Sequence, residues 1–427
     1  MNPSRPSLKF ADANVLQDWF SPMMQALQKV RFSDGPLSAL PTAEFILSGC
    51  LRQLLDARSL RDFVQTLFHQ DPQHCLAPIA RSTWADALAS PKRSDILRQA
   101  LALLVGQARA TLPDRLAHLP GLAGREVIAT DATYLTESAH YAALYPSAGG
   151  TDNQKGHMLL SHFDVRKGIA LAVNTQTRSM GEMRVLKQVV AQGNSWLDTR
   201  LAIHVVDRAF IDGTFWDQRL QRFSSTVITR LKSSLLYTVV KEQEVLACAD
   251  NQGVAYERLI KLKCSSGVWR LIGFISADGQ SYEYITNDLA LLPGLVAFLY
   301  HRRWDKEKYY DTFKNDLAGM KAWGKSEHAI QQQAMLGIVT TTLTRQFLLH
   351  QQTQLNLSRP DSTQQLKHNA KLKEHQNSGT GISLRATWTE LSKITRQLWR
   401  FLKHCFAYPS SLALYQRQLT PILERYL

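Results

Sequence analysis

The sequence predicts an α/β fold, in which a mixed sheet is flanked by helices, carries an all-β insertion and lies between helical terminal regions. Three observations predict this class. Apolar residues recur at helical spacing up to about residue 115. From about residue 125, β-branched runs alternate with amphipathic segments. Between about residues 235 and 285, short strand-like runs follow one another without a helical pattern. Strands that alternate with helices are typical of a sheet covered by helices.

The first 115 residues are predicted to be helical. Apolar residues stand at i, i+3 and i+4 in NVLQDWFSPMMQAL, TAEFILSGCLRQLL and SDILRQALALLVGQARATL. This spacing gives each helix one apolar face that must pack against something. We predict a helical N-terminal domain over residues 1–115. The pattern fits nucleic-acid binding and a dimerisation or packing role equally well.

A second predicted domain, residues 116–345, is built on the sheet. The run REVIATDATYL predicts a strand ending in Asp131, and RLAIHVVDRAF predicts one ending in Asp207. Between them, HMLLSHFDVRKGIALAVNTQT predicts a hairpin with its turn at residues 166–168, and EMRVLKQVVAQ predicts an amphipathic helix. The later run STVITRLK predicts one further strand.

Two further segments complete the organisation. Residues 234–285 contain four short runs that look like antiparallel strands, so we predict a β-rich insertion that interrupts the second domain. Residues 346–427 begin with a polar stretch rich in Gln, Asn, Lys and Ser and end in helical patterns. We predict a linker and a helical C-terminal region that dimerises or binds nucleic acid.

The charge of the chain points to a polyanionic partner. Fifty Lys and Arg face 36 Asp and Glu, which gives a net charge of +14 and a pI near 9.6. Such a chain is expected to bind nucleic acid or a membrane surface, although a basic protein without such a partner fits as well. The longest apolar run has 12 residues, and a membrane helix needs about 20. We therefore expect nucleic acid rather than membrane.

Several enzyme classes and sites are disfavoured by missing motifs. The chain has no Walker A motif, no G-x-G-x-x-G and no G-x-S-x-G, which argues against ATP, dinucleotide and serine-hydrolase chemistry. Its five cysteines are scattered and form no C-x-x-C pair, so neither a zinc site nor a disulfide framework is indicated. The N-terminus lacks the apolar core of a signal peptide. We predict a reduced, cytoplasmic protein.

One charged segment, YHRRWDKEKYYDTFKNDL, suggests a functional helix. At about 100° per residue, Tyr300, Arg303, Glu307 and Lys314 fall within an arc of about 60°. Asp311 shares this face, so the periodicity does not choose between the two carboxylates. A solvated face with i, i+4 ion pairs is the alternative interpretation.

Three carboxylates together suggest a metal site. Buried strands that end in an acid place that acid at an edge of the sheet, where sites form. Asp131 and Asp207, with one carboxylate from a packed helix, are able to hold two divalent cations about 3.5–4 Å apart. Such a pair suits in-line attack on a phosphodiester, and hard carboxylate oxygens favour Mg²⁺ or Mn²⁺. For either aspartate taken alone, a turn or cap residue is an equally good explanation.

These residues resemble a known family. The order Asp131, Asp207, Glu307 resembles the catalytic triad of DDE transposases with an RNase H-like fold. The spacing Tyr-(2)-Arg-(3)-Glu-(6)-Lys from Tyr300 to Lys314 is similar to the signature of insertion sequence family four transposases. The neighbouring ITND, RW, DRAF and ITRLK agree with it, and the likeness covers about residues 125–320. Departures stand at Ala209, Asp305 and Lys306.

The resemblance implies roles for these side chains. Asp131, Asp207 and Glu307 would be catalytic metal ligands for two Mg²⁺ ions, with Mn²⁺ as a substitute. Tyr300, Arg303 and Lys314 would contact DNA phosphates, as would Arg230 and Lys232, for which a solubilising role is the alternative. Trp269 would stack on a flipped base or would be a core tryptophan. His157 and His162 fall on opposite faces of one strand, so they are predicted to be structural.

The resemblance also implies a function. We expect a DNA transposase that binds terminal inverted repeats, cleaves strands with metal and transfers 3′-hydroxyls by a cut-and-paste route. Residues 1–115 would then be a DNA-binding domain, 116–345 an RNase H-like catalytic domain and the protein a homodimer in a synaptic complex on double-stranded DNA. The alternatives are a domesticated, inactive DNA-binding protein and an RNase H-like nuclease without strand transfer.

Overall fold

A computed structural model describes most of residues 15–354. The gaps are residues 36–37, 56–58, 70–78, 137–143, 147–152, 177–179, 194–195, 277, 318 and 320, and residue 417 is also described. Most of the predicted C-terminal region, 346–427, therefore lies outside the described residues, as do residues 1–14. No helix among the described residues is long and apolar enough to cross a membrane.

Among the described residues, five α-helices precede the sheet, as the apolar spacing predicts. They are α1 (Val15–Lys29), α2 (Thr42–Leu55), α3 (Leu60–His69), α4 (Arg81–Ala89) and α5 (Pro91–Thr111). The start of α5 shows why a helix begins there. Pro91 occupies the first helical position, where no N–H is needed, and the Ser90 hydroxyl accepts a hydrogen bond from the Arg93 N–H at 3.4 Å.

The sheet and its flanking helices occupy residues 126 to 354. The strands are β1 (Glu126–Thr136), β2 (Leu144–Pro146), β3 (Asn153–Asp164), β4 (Ile169–Gln176), β5 (Ala202–Val206), β6 (Thr226–Arg230), β7 (Tyr237–Gln243), β8 (Val254–Leu262), β9 (Val268–Ile275) and β10 (Ser281–Thr286). The helices are α6 (Glu182–Ala191), α7 (Gly213–Phe223), α8 (Pro293–Arg302), α9 (Trp304–Asp311) and α10 (Glu327–Gln354).

All ten described strands belong to one mixed sheet. Its order is β2-β3-β1-β5-β6-β10-β9-β8-β7, and β4 also pairs with β3. Strands β1, β5 and β6 run parallel, while every other described pairing is antiparallel. The predicted RNase H-like mixed sheet with flanking helices is thus confirmed. The predicted β insertion forms β7 to β10 and continues this sheet beyond β6.

The first strand is longer than predicted. Asp131 does not end β1, because β1 keeps its pairing with β3 as far as Thr136. The pairing of β1 with β5 stops at Thr130, opposite Val206. Asp131 is therefore the first residue of β1 that has no partner on β5. The prediction of a strand end was wrong, but the aspartate still lies where the parallel part of the sheet stops.

A separate hydrophobic core covers each face of the sheet. Neighbouring residues Leu159 and Leu160 enter different cores, because successive side chains of a strand point to opposite faces. The first core contains buried residues of α1, α2, α4, α5, α8 and α10. The second contains those of α6 and α7, and Trp216 and Trp269 are its largest side chains.

Helix α10 joins the N-terminal helices to the sheet. Its apolar residues Leu336, Ile338, Val339 and Leu343 are fully buried in the first core. Polar contacts reinforce the packing on the helical side. The Trp19 indole N–H donates to Thr344 Oγ1 at 3.1 Å, and Gln53 Nε2 donates to the Gln333 carbonyl at 3.1 Å. The helices of residues 15–111 and the sheet therefore share one continuous core.

Two buried histidines lie on β3 and β5, the strands on either side of β1. Burial lowers the pKa of His162 and of His204 to about 3 each, so both rings are neutral near pH 7. His162 Nδ1 lies 2.9 Å from Thr130 Oγ1, and the His204 ring lies 5.5 Å from that of Trp216. These contacts are structural, as was predicted for His162.

We predict that His204→Leu flattens the acid dependence of stability. The unfolded chain takes up a proton on this residue below about pH 6.5, whereas the folded chain does so only near pH 3. Stability is therefore lost as the pH falls, by about 1.4 kcal/mol per pH unit for each such group. Urea unfolding between pH 4 and 7 measures the slope. The exposed His118→Leu serves as control, and an unchanged slope in His204→Leu would contradict the prediction.

Candidate active site

The two predicted aspartates lie on neighbouring parallel strands. Asp131 is on β1 where the β5 partner ends, and Asp207 directly follows β5. The backbone N–H of Ala132 donates to Asp131 Oδ1 at 2.9 Å, which fixes one carboxylate oxygen. The Tyr300 hydroxyl lies 3.5 Å from Asp207 Oδ1. Both acids therefore stand at the carboxyl edge of the parallel strands, where sites form in α/β sheets.

The segment with the Tyr-Arg-Glu-Lys spacing is not one regular helix. Helix α8 ends at Arg302 and α9 begins at Trp304, and the N–H of the intervening Arg303 donates to the Tyr300 carbonyl three residues back at 3.1 Å. After α9, residues Thr312–Asp316 form a π turn, in which the Leu317 N–H donates to the Thr312 carbonyl at 2.9 Å. A tight turn and a wide turn therefore replace the predicted continuous α-helix.

Four members of the signature nevertheless face the sheet. Arg303 Nη1 contacts Asp131 Oδ2 at 3.1 Å, and Arg303 Nη2 contacts Glu307 Oε1 at 2.6 Å. Lys314 Nζ donates to Thr133 Oγ1 at 2.6 Å. Thr133 lies two residues after Asp131 and so shares its face. The guanidinium is thus between two of the three predicted metal ligands.

The alternative carboxylate on this segment points away. Asp311 is exposed and accepts a hydrogen bond from Asn315 Nδ2 at 2.5 Å. The side chain of Glu307, in contrast, is only 34% exposed and contacts Arg303, which also contacts Asp131. The structure therefore favours Glu307 over Asp311.

The carboxylates act on one another electrostatically. The pKa of Glu307 is raised, first by burial and also by the charges of Asp131 and Asp207, although Arg303 opposes the shift. The pKa of Arg303 is raised despite its burial, because Asp131, Tyr300 and Glu307 stabilise its charge. The edge of the sheet therefore carries a cluster of carboxylates with the Arg303 guanidinium bound among them.

A fourth carboxylate, Glu182, was not predicted. It is the first residue of α6, and its pKa is raised to about 7 by burial and then by Asp131 and Asp207. The sequence predicted this helix but gave its first residue no role. Acids are common in the first turn of any helix, so the sequence carried no signal that would have singled it out.

Two more unpredicted residues lie under Asp131. Lys306 Nζ donates to the backbone carbonyls of Asp131 and Ser161 at 2.6 and 2.5 Å. The Tyr310 hydroxyl lies 3.0 Å from the Asp131 carbonyl and 2.7 Å from Ser161 Oγ. Helix α9 is therefore attached to β1 and β3 at the aspartate itself. The departure from the family pattern at Lys306 was the one signal in the sequence.

Arg230 lies beside this site, at the end of β6. Its guanidinium is 5.0 Å from the centre of the Tyr282 ring, and its charge is among the influences on the pKa of Tyr300. Tyr284 links these groups, since its ring centre lies 5.0 Å from that of Tyr300. Lys232 is exposed just beyond β6. The structure brings Arg230 towards the carboxylates and leaves Lys232 at the surface.

Trp269 is a core residue. Its side chain is fully buried in the second core, and its indole N–H donates to Ser265 Oγ at 2.7 Å. Asp217 of α7 accepts from the same hydroxyl at 2.6 Å and from the Ser266 N–H at 2.9 Å. The tryptophan thus belongs to the anchor of the β8–β9 turn. The base-stacking interpretation is wrong in this structure, because no face of the ring is free.

The ITND stretch forms the end of β10 and the turn that leads into α8. Asp288 Oδ1 accepts hydrogen bonds from the N–H groups of Ala290 and Leu291 at 3.0 Å each. Asn287 Oδ1 accepts from the Val227 N–H at 2.8 Å. These buried side chains connect the end of β10 to β6 and to the turn before α8. They therefore set where α8, and with it Tyr300, meets the sheet.

The sheet edge gathers oxygen donors of the type that divalent cations prefer. Asp131, Asp207, Glu182 and Glu307 supply hard oxygens. Burial raises the pKa of both glutamates, and the charges of Asp131 and Asp207 raise it further. Within the described part of the chain, no three His, Cys, Asp or Glu side chains close around a single metal position. The Arg303 guanidinium lies between Asp131 and Glu307.

Comparison with known proteins assigns the family. The family model described as Transposase DDE domain matches residues 122–343, which is more than half of the chain. The chain belongs to this family. The matched range contains all of the predicted site residues. A search of curated proteins found no match. Among solved structures, the chain is similar to a piggyBac transposase, seen by cryo-EM in a synaptic complex with hairpin DNA. That similarity has 12% identity and a TM-score of 0.42, and covers 97% of this chain and 84% of the other.

We predict that Asp207→Asn stabilises the metal-free transposase domain. The substitution keeps the shape and removes one of several repelling charges, so the free energy of unfolding should rise by about 1 kcal/mol. Mn²⁺ should raise the melting temperature of the wild type and leave that of the variant nearly unchanged. Thermal unfolding with and without Mn²⁺ measures both effects. The exposed Asp250→Asn is the control, and a lower melting temperature for metal-free Asp207→Asn would contradict the prediction.

Proposed function

We propose that this chain is a DNA transposase of the insertion sequence family four type, in the subgroup with the Tyr-Arg-Glu-Lys signature. The observation that carries the proposal is the Arg303 guanidinium that joins Asp131 to Glu307, with Asp207 close enough for its charge to act on both Arg303 and Glu307. Membership of the Transposase DDE domain family supports the same reaction class. The proposed reaction is cut-and-paste: strand cleavage at terminal inverted repeats and transfer of the 3′-hydroxyls to target DNA.

The proposed substrate is double-stranded DNA. The net charge of +14 favours binding to a polyanion, and the binding should weaken as salt rises through counterion release. Tyr300, Arg303 and Lys314 are proposed to contact phosphates near the scissile bond, with Arg230 beside them. Lys232 is proposed as a more distant phosphate contact. Such contacts position DNA and carry no sequence information by themselves.

The proposed cofactor is Mg²⁺, which Mn²⁺ would replace. Asp131, Asp207 and Glu307 would hold two ions, and Glu182 adds a further oxygen donor nearby. When bound, the ions would activate the attacking oxygen and neutralise the leaving oxygen of a phosphodiester. The protein supplies a fixed cluster of carboxylates and a partly buried surrounding in which charges act strongly on one another.

Arg303 has a proposed double role. In this structure its guanidinium neutralises Asp131 and Glu307 at 3.1 and 2.6 Å. A cation on the same carboxylates would compete for these contacts, and a released guanidinium is well shaped to grip a phosphate with two N–H donors. The exchange from carboxylates to phosphate would then couple cation binding to DNA binding.

The oligomeric state and the roles of the domains follow from the same proposal. We propose a homodimer that joins two ends in a synaptic complex, with residues 1–115 as the DNA-binding domain and 346–427 as a dimerisation or DNA-binding region. The catalytic domain would be residues 116–345, with the insertion at 234–285. A cytoplasmic site of action agrees with this function. A domesticated binding protein and a nuclease without strand transfer are the outcomes against which the proposal is tested.

We predict that Glu307→Gln abolishes metal-dependent cleavage of end DNA. The variant keeps the size of the side chain and removes an anionic ligand. Loss of activity should be about a hundredfold or more, since loss of an outer-shell partner alone costs 10–100-fold. The assay uses linear DNA with the flanking ends of the gene, with and without Mg²⁺ or Mn²⁺. Asp311→Asn, on the same segment and exposed, is the matched control.

Three outcomes would speak against the proposal in different ways. Binding without cleavage in the wild type would indicate a domesticated DNA-binding protein. Cleavage without joining to target DNA would indicate a nuclease. Cleavage that survives in Glu307→Gln and is lost in Asp311→Asn would show that the wrong carboxylate of this segment was chosen.

We predict that Lys314→Met weakens DNA binding without changing sequence preference. If the ammonium neutralises one phosphate, the slope of log K against log salt should become less steep by about 0.9. Fluorescence anisotropy between 50 and 300 mM salt, on end DNA and on unrelated DNA, measures the slopes. The exposed Lys241→Met is the control. An unchanged slope in Lys314→Met would show that Lys314 serves only its contact with Thr133.

A further inference from the structure

Lys306 is a buried lysine directly behind the predicted metal ligands. Its side chain is fully buried, although its neighbour in the chain, Glu307, is partly exposed. The ammonium donates to the backbone carbonyls of Asp131 and Ser161 at 2.6 and 2.5 Å. These two residues are register partners on β1 and β3. One charged group from the helix therefore holds both strands at the level of the catalytic aspartate.

Tyr310 completes this attachment one helical turn later. Its hydroxyl lies 3.0 Å from the Asp131 carbonyl and 2.7 Å from Ser161 Oγ. The Lys306 ammonium lies 5.1 Å from the centre of the Tyr310 ring, within cation–π distance. Lys306 and Tyr310 thus form a clamp from α9 onto the peptide of Asp131, and this pair is called the α9 clamp below.

A buried ammonium is a costly way to attach a helix. The side chain of Lys306 is fully buried, so water does not stabilise its charge. A leucine or methionine would fill the same space without this cost, and replacing buried charges by apolar groups is often neutral or stabilising. Packing alone therefore does not explain a lysine here. What the lysine adds is a directed bond to two particular carbonyls.

We infer that Lys306 is a positioning residue, which fixes the peptide of Asp131 against the helix that carries Glu307. The inference rests on the proposed function, because it treats Asp131 and Glu307 as joint ligands of a divalent cation. The two ligands come from a strand and a helix that are far apart in sequence. Their separation depends on how α9 lies on β1. The α9 clamp bonds this helix to the Asp131 peptide, beside the Arg303 contacts with the two carboxylates.

The inference predicts weaker metal binding when the clamp is removed. Loss of a group that orients a metal ligand lowers metal affinity by about 10–100-fold. Lys306→Met should therefore raise the Kd for Mn²⁺ by about tenfold or more. Tyr310→Phe, which removes only a hydroxyl, should raise it by a smaller factor in the same direction. DNA-end binding in the absence of metal should stay within about twofold, since neither side chain reaches the surface.

The experiment measures Mn²⁺ binding to the full chain by electron paramagnetic resonance, which needs no catalysis. Lys308→Met is the matched control, because Lys308 is a lysine of the same helix whose side chain is only half-buried. Thermal unfolding without metal is recorded for each variant. Cleavage of end DNA is then titrated with Mn²⁺, where the clamp variants should need more ion for half-maximal rate and approach the wild-type rate at saturation.

Distinct results would overturn the inference. A lower melting temperature in Lys306→Met with wild-type Mn²⁺ affinity would show a purely structural role. If Lys306→Met does not fold, Tyr310→Phe decides, and wild-type affinity in that variant overturns the inference. Wild-type protein that binds Mn²⁺ and does not cleave would refute the proposed function alone. Wild-type protein that binds no Mn²⁺ would refute both.

Discussion

The structure of this site depends on one cation, the Arg303 guanidinium, which contacts both Asp131 and Glu307. Several acids of like charge stand at one edge of the sheet, and such a group resists assembly in a partly buried place. The arginine lies in the short turn between α8 and α9. The position of this turn on the sheet therefore determines where its positive charge lies. The guanidinium therefore lets Asp131 and Glu307 stay close together in the folded protein.

Much of the fold was predictable because local patterns agree with it. β5, β6 and α6 appear where their apolar runs stand, and the hairpin turns at Gly168, whose φ of +68° suits a glycine. The errors arose from contacts distant in sequence. β1 continues past Asp131 because β3 goes on pairing with it. The Tyr-Arg-Glu-Lys segment departs from α-helical geometry at Arg303 and again at Thr312–Asp316. The spacing of residues in the sequence does not reveal such local changes of helix geometry.

The acids of the candidate site were predictable from the sequence, whereas the residues that position them were not. The spacing of charged residues with a particular order of acids led to Asp131, Asp207 and Glu307, which the structure places on one side of the sheet. Glu182 reaches the same place through the crossover between β4 and β5, which only the folded topology defines. Lys306 and Tyr310 look like ordinary residues of a charged helix in sequence. Trp269 looked available for stacking because its partners, Asp217 and Ser265, come from two other segments.

The position of α10 has a consequence for how the chain is made. Helices α1, α2 and α5 bury apolar residues against α10, yet about 200 residues separate the end of α5 from its start. At about 5–20 residues per second, a ribosome needs roughly ten to forty seconds to make that interval. During this time the first helices to emerge hold an uncovered apolar surface. The amino-terminal helices can therefore complete their packing only after α10 has been made.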